Sequence, residues 1–398
     1  MDYEHITTSQ QLLDFCAFAA NASSLAFDTE FVSEDSYRPQ LCLVQVAVGS
    51  RFAIIDPLAV PDLRPFWNLV VAPGHETVVH AGREEFRFCR WATGKRPHQL
   101  FDVQLAAGLI GMEYPAAYSN LISRLLGKSL TKGETRTDWR RRPLSDSQLE
   151  YALLDVVYLD RLRRVLGDRI EKLGRSEWLR SEIDAWQDHI EEYEEGERWR
   201  RLAGVSGLSP RVLALVRELW HWREELAAQR DWPVRRVLRD DLIIELARRQ
   251  SSDPRRIRAI RGLERGDLQK HLPQLSASME RALQLPEAEC PQPLPRSGRP
   301  QLNLLGQFLH TAVSSLCHKA NVAPSLVGTV EDVRDLIAFR LNLGGANRLP
   351  PPALAVGWRA EVVGHAIEEL LGGKLAIQIV DPMSDVPLRF VPQQGGDD

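Results

Sequence analysis

Strand-like and helix-like segments alternate over the first 165 residues, and that alternation constrains the fold more than any other property of the chain. Ser24–Asp28 (SLAFD), Leu41–Val48 (LCLVQVAV), Arg51–Ile55 (RFAII) and Thr77–His80 (TVVH) are short runs of β-formers. Around them, Gln10–Ala20, Glu84–Trp91, Asp102–Ile110 and Asp146–Leu166 carry helical periodicity. Strands interleaved with helices predict an α/β layer in which helices flank a mixed sheet.

From about Gly167 the strand signal stops, which predicts an all-helical remainder. Asp188–Glu197 (DHIEEYEEGE) holds six acids and no Lys or Arg, and reads as a solvated linker or helix end. Pro210–Leu275 predicts three or four helices, separated at Trp232-Pro233, Ser251–Pro254 and Gly262. Its 15 Lys and Arg residues exceed its ten acids, an excess that fits a nucleic-acid surface or simply a charged helical exterior. Prolines at 286, 291, 293, 295 and 300 mark a stiff linker. Leu302–Leu371 then predicts a second helical unit. Trp222-Arg223 and Trp358-Arg359 recur late in the two units, too little to define a repeat.

The chain's 398 residues are enough for two or three domains. A formal charge of -4 excludes a uniformly basic nucleic-acid coat and leaves room for local basic faces. Five scattered cysteines without a C-x-x-C pair fit a reducing compartment, and argue against a disulfide scaffold or thiolate zinc site. No Lys or Arg precedes Arg38, so no signal-peptide n-region is expected. No apolar run approaches the ~18 residues of a membrane span. These features predict a cytoplasmic protein with no membrane association.

Two local patterns bear on chemistry. Asp28-Thr-Glu30 closes the first strand, where residues i and i+2 share a face, so both carboxylates point the same way. They are either a polar strand end meeting water or a site for a hard divalent cation. Tyr151 and Asp155 stand four apart in a helix and stack on one face; alone, they are a surface Asp beside a half-buried Tyr. Together the pairs suggest a two-metal hydrolase, in which ions about 4 Å apart clamp the attacking and leaving oxygens of a phosphoryl displacement. Oxygen donors without His or Cys select Mg²⁺ or Mn²⁺ over zinc, and the phenol suits the holding of an attacking water.

FDTEF at 27–31, RPQLCLVQVA at 38–47, HAG at 80–82, FDVQLAA at 101–107 and DWRRRPLSDSQLEYALLDVVYL at 138–159 resemble the bacterial ribonuclease D family. That family belongs to the DEDDy branch of 3′→5′ exonucleases. LWHWREELAAQRDWPVRRVLRDDLIIELARR at 219–249 is similar to an HRDC domain, and GWRAEVVG at 357–364 to the end of a divergent second one. The resemblance implies an RNase H-like exonuclease domain over 1–200, an HRDC domain over 205–285 and an HRDC-like helical domain over 300–380.

The resemblance also assigns roles. It implies Asp28, Glu30 and Asp155 as metal carboxylates and Tyr151 as the water-orienting phenol. The second motif departs from the family pattern: Arg83-Glu84-Glu85-Phe86 follows His-Ala-Gly, so Glu85 stands where Asp is usual. Glu84 would point about 100° away on a helix, and Asp102 is expected to be structural, with a role as fourth acid left open. Trp139 and Pro143 are expected to be structural, and Gln148 to orient the start of its helix. The basic tract Arg124–Arg142, with Lys132, Arg136, Arg140, Arg141 and Arg142, is expected to neutralise incoming phosphates, or else to be a solvated loop.

The implied function is a metal-dependent 3′→5′ exoribonuclease that trims structured RNAs such as tRNA precursors to release 5′-monophosphates, with two Mg²⁺ or Mn²⁺ ions and no obligate protein partner. Two alternatives stand beside it. One is a DEDDy exonuclease acting on DNA 3′ ends. The other is a non-catalytic RNA-binding module whose site has decayed, for which Glu85 is the supporting feature.

Overall fold

The computed structural model describes residues 2–130, 137–263, 266–293, 300–343 and 350–393. Its α/β layer is a six-stranded mixed sheet of β1 (Glu4–Ile6), β2 (Ser24–Val32), β3 (Gln40–Val48), β4 (Arg51–Ile55), β5 (Glu76–Val79) and β6 (Leu100–Asp102), in the order β1-β4-β3-β2-β5-β6. The central β2 is antiparallel to β3 and parallel to β5. Alternation along β2 decides which layer each residue meets. Phe27 packs with Phe15, Phe66, Trp67 and Phe88 from α1 (Ser9–Ala19), α2 (Arg64–Val71) and α3 (Arg83–Thr93). Ala26 faces the other way, toward a cluster that includes α4 (Val103–Gly108), α5 (Tyr118–Leu126), α7 (Leu159–Lys172) and α8 (Ser176–Glu195). α6 (Asp146–Val157) lies against β2, β3 and β4.

Several expectations change in three dimensions. The helix expected over Asp146–Leu166 breaks at Tyr158 into α6 and α7. Of the two readings of the acidic tract Asp188–Glu197 the helix end holds and the linker does not, because Asp188 to Glu195 form the last turns of α8. Glu194 pairs with Arg87 (2.7 Å), Glu191 with Arg90 (3.1 Å), and Asp188 with Arg96 (2.6 Å). Arg87 and Arg90 lie on α3, so the acids lock α8 onto that helix. The remainder is also not all-helical: Leu375–Ile379 and Leu388–Pro392 form an antiparallel hairpin.

Past α8 lie two helical bodies. The first has its own core, with Trp199, Leu219, Trp222, Ile243 and Met279 among its buried side chains. It reaches the sheet layer through Tyr37, whose amide donates to Asp231 (3.0 Å) and whose hydroxyl donates to Glu224 (3.2 Å). The second body shares one continuous apolar cluster with the α/β layer, Leu309, Val313 and Leu336 joining Leu105, Leu109 and Leu179. Buried Arg175 staples the two by donating to the carbonyls of Leu109 (2.6 Å), Asn321 (2.8 Å) and Ala320. Arg359 forks onto Glu182 (2.7 and 2.9 Å), and Trp358 stacks on Trp178 at 5.5 Å.

The Trp-Arg pairs do not relate the two bodies. Trp222 and Arg223 lie in a long first helix, Pro210–Arg230, whereas Trp358 and Arg359 lie near the end of their unit. What the bodies share is an order: a long helix (Pro210–Arg230, Asn303–Lys319), a four-residue helix (Val234–Val237, Pro324–Val327) and a third (Asp240–Arg249, Val330–Arg340). Among the described residues, no helix is long and apolar enough to cross a membrane.

Candidate active site

The site forms where β2 outruns its parallel neighbour. Pairing with β5 ends at Ala26↔Val78, whereas β3 continues to pair alongside Asp28 and Glu30. The two carboxylates therefore stand on the stretch of β2 without a partner on the β5 side, at the carboxyl ends of the parallel strands, where open α/β sheets leave a crevice. They face α6, which supplies Tyr151 and Asp155.

Glu85 comes from the opposite layer. The chain leaves β5 through His80-Ala81-Gly82; Ala81 has φ +52° and Gly82 caps α3. A Cβ on Gly82 would lie 2.4 Å from Val79 Cγ2, so only glycine lets α3 start this close to the strand. Asp102 holds the turn: its carboxylate accepts from the amides of Gly82 (2.9 Å), Ala81 (3.3 Å), Gln104 (2.7 Å) and Leu105 (3.3 Å). It thus caps α4 and anchors the entry to α3. That satisfies its oxygens in full and accounts for its burial without a role as fourth acid. Glu85, 5% exposed, accepts from the Thr29 hydroxyl, and Glu84 points away to pair with Arg87 at 2.7 Å.

Burial is the first influence on each of these acids, and for Asp28 and Glu30 the neighbouring carboxylates come second. Burial, then the charges of Asp155 and Glu85, raises Glu30 to about 8. Burial raises Asp155 to about 7. Burial also raises Glu85 to about 7, although hydrogen bonds from Thr29, its own amide and the Asp28 carboxyl favour its anion. Asp28 is pushed well above the usual carboxylate range, by burial first and then by Glu85, Asp155 and Glu30. Burial and the neighbouring Asp155, Glu30 and Asp28 raise Tyr151 to about 12, so its phenol stays protonated.

Four buried carboxylates, each held above its ordinary pKa first by burial, offer hard oxygen donors with no thiolate or imidazole and are chemically suited to divalent cations. Among the described residues, no three His, Cys, Asp or Glu side chains are gathered as ligands of one ion. Glu85 is turned to Thr29, and Asp28 lies against Glu85. The donor set of buried carboxylate oxygens fits a divalent cation.

Tyr151 and Asp155 are set by the start of α6. Ser145 and Gln148 form a reciprocal capping box, and Gln148 also donates to Thr137 (2.8 Å). Trp139, 7% exposed, lies beneath Tyr151 with ring centroids 6.3 Å apart.

The expected phosphate-binding tract divides. Lys132 and Arg136 lie outside the described residues. Arg140 is paired with Asp35 (2.7 Å) and Asp138 (2.9 Å), and the Arg141 side chain is 85% exposed. Arg142 is committed inward rather than to phosphate. It forks onto buried Asp56 (2.6 and 2.8 Å) and donates to the carbonyls of Cys42 (2.8 Å) and Trp139 (2.8 Å). Burial would raise Asp56, but those bonds and the Leu58 and Ala59 amides leave its pKa lowered. In the first helical body Trp222 is core, while Trp220 is only partly buried and lies under Arg198 (5.6 Å).

Sequence reasoning missed Thr29 as the hydroxyl that seats Glu85, and missed His80 and Tyr118. His80 bonds the Ala116 carbonyl (3.0 Å), and its ring lies 5.2 Å from that of Tyr118. The quoted His-Ala-Gly could have drawn attention to His80; no local pattern marks Tyr118.

The 3′-5′ exonuclease family matches residues 3–171, and the HRDC domain family matches residues 212–278. The chain is 33% identical over 380 residues to ribonuclease D of Nitrobacter hamburgensis, covering 94% of this chain and 96% of that one. It is 33% identical over 388 residues to ribonuclease D of Sphingobium indicum, with coverage of 94% and 96%. The structure is similar to the crystal structure of Escherichia coli RNase D, described as an exoribonuclease involved in structured RNA processing. The TM-score is 0.81 at 29% identity, over 94% of this chain and 99% of that one.

Proposed function

We propose that this chain, which belongs to the ribonuclease D family of 3′→5′ exoribonucleases, trims the 3′ ends of structured RNAs such as tRNA precursors in the cytoplasm. RNA is its substrate, and exonucleases of this type depend on metal. Residues 1–200 would form the exonuclease domain, 205–285 an HRDC domain and 300–380 a second, divergent one.

The observation that carries the finer reading is the cluster of Asp28, Glu30, Glu85 and Asp155, each held above its ordinary pKa mainly by burial, with Tyr151 beside it. These four carboxylates would hold two Mg²⁺ or Mn²⁺ ions. When bound, the ions supply neutralising charge, Lewis acidity and a lowered water pKa. Tyr151, protonated across the working pH range, holds the attacking water by a hydrogen bond. Trp139 beneath the phenol and the capping box at Ser145 fix its direction. Thr29 holds Glu85 at the depth of Asp28, so the longer side chain sits within the cluster rather than beyond it. Hydrolysis breaks the bond between phosphorus and the 3′ oxygen. Water's oxygen joins the departing nucleoside 5′-monophosphate, and its proton balances the 3′-hydroxyl left on the shortened RNA. Exposed Arg141 and the basic first helical body would meet phosphates further along the strand, adding affinity without reading sequence.

The test is a 5′-labelled RNA hairpin with a single-stranded 3′ tail, incubated with Mg²⁺ or Mn²⁺, with chelator, and with Asp155→Asn. Stepwise shortening that halts at the stem and vanishes in both controls is expected. Intact RNA that remains bound would instead support the decayed module.

A further inference from the structure

Tyr118 opens α5 and belongs to none of the motifs, yet its phenol lies near enough to Asp155 and Asp28 to feel their charge. Its hydroxyl is fully enclosed and has no hydrogen-bond partner. The Tyr158 amide, at the break between α6 and α7, faces the phenol oxygen without closing a bond. Burial first, and then the charges of Asp155 and Asp28, keep the phenol protonated. Tyr151 precedes Asp155 by one turn of α6 and the Tyr158 amide follows it by nearly one. The two phenols therefore approach Asp155 from opposite ends of the helix.

The phenol's position is built rather than incidental. His80 Nε2 (3.0 Å) and Gln104 Nε2 (2.9 Å) both meet the carbonyl of Ala116, two residues before Tyr118. The His80 ring also stands beside the Tyr118 ring at 5.2 Å. An enclosed hydroxyl without a partner is a cost to the folded protein and calls for an explanation. Here the surrounding site is rich in acceptors and poor in donors. A phosphodiester entering it brings anionic oxygens that need donors, which is the partner the Tyr118 proton lacks.

We propose that Tyr118 is a substrate-contacting residue whose hydroxyl donates a hydrogen bond to a non-bridging oxygen of the scissile phosphodiester, across Asp155 from the water held by Tyr151. The proposal rests on the reading of this cluster as a phosphodiester-hydrolysing site. It gives His80 a positioning role, since the imidazole acts through Ala116 and the Tyr118 ring.

Tyr118→Phe in the full chain removes the donor and nothing else. Cleavage of the tailed hairpin should slow about 10- to 100-fold, as for a lost hydrogen bond to a charged group. Without RNA, the Tm should hold or rise, because an unpartnered buried hydroxyl is gone. Mn²⁺ affinity by calorimetric titration should be unchanged. A phosphorothioate at the scissile linkage, a poorer acceptor, should slow the wild type, and for one diastereomer that penalty should shrink in the variant. A wild-type rate in Tyr118→Phe, an undiminished sulfur penalty for both diastereomers, or a parallel loss of Mn²⁺ affinity would each overturn the proposal. A Tm lowered by more than a few degrees would do the same, by showing a structural hydroxyl. Failure of the wild type to cut the hairpin at all would reject the nuclease reading itself.

Discussion

The carboxylate cluster should cost the metal-free protein stability, and Asp155→Asn should recover part of it. Asp155 is ordinarily half ionised at 3.8 and here near 7. At ~1.4 kcal/mol for each tenfold change, ionising it in the fold costs at most ~4 kcal/mol. Half-burial and the shared titration of Asp28, Glu30 and Glu85 reduce this, and ~1–3 kcal/mol is the working expectation. The direction follows from linkage. A carboxyl raised in the folded state favours folding most below pH 4, where both states are protonated. That advantage is lost as pH climbs from about 4 to about 7, because the unfolded chain has already released its proton. Asparagine does not titrate, so its benefit grows across that window and levels off above it. At ~2–4 °C per kcal/mol for a domain of this size, Asp155→Asn in chelator should raise the Tm by several degrees at pH 8 and by little at pH 4. Differential scanning fluorimetry at both pH values, with and without Mn²⁺, measures it. Added Mn²⁺ should stabilise the wild type at pH 8 and help the variant much less. An Asn variant no more stable than wild type at pH 8, or equally stabilised at both pH values, would show that burial does not hold the Asp155 carboxyl above its ordinary pKa.

Three other outcomes can be read from single variants. Glu85→Asp, although it restores the usual family residue, should slow cleavage about tenfold. The shorter side chain withdraws from the Thr29 hydroxyl, and displacements near 1 Å are costly in active sites; equal or faster turnover would show that Thr29 does not seat the carboxylate. Arg142→Ala should destabilise by about 3–5 kcal/mol, because it strands buried Asp56, whereas exposed Arg141→Ala should leave the Tm unchanged and weaken RNA binding a few-fold with a shallower salt dependence. Thermal melts and fluorescence anisotropy at two salt concentrations separate them, and an Arg142→Ala that weakens binding without moving the Tm would return this arginine to the phosphate path.

What could be read without coordinates depended on the distance over which each interaction acts. Asp28 and Glu30 share a face because strand side chains alternate, and Tyr151 and Asp155 because four residues nearly complete a helical turn. Both statements need only local geometry, and both survive folding. Glu85 was found through its motif, but the hydroxyl that seats it lies 56 residues away. Arg142 belonged to a basic run until Asp56, 86 residues earlier, was brought beneath it. The partners of the acid tract were hidden for the same reason, since Arg96 is 95 residues from Glu191. A charge run predicts solvent only while no opposite run folds against it, and nothing within the run says which case holds. Tyr118 is the extreme instance. A tyrosine on an amphipathic helix is unremarkable until the strand bearing Asp28 and the helix bearing Asp155 close around it and leave its proton unclaimed. Local pattern therefore names residues that act on one another within a strand or helix turn, while residues that complete a site by meeting a ligand stay hidden until burial can be compared with hydrogen bonding.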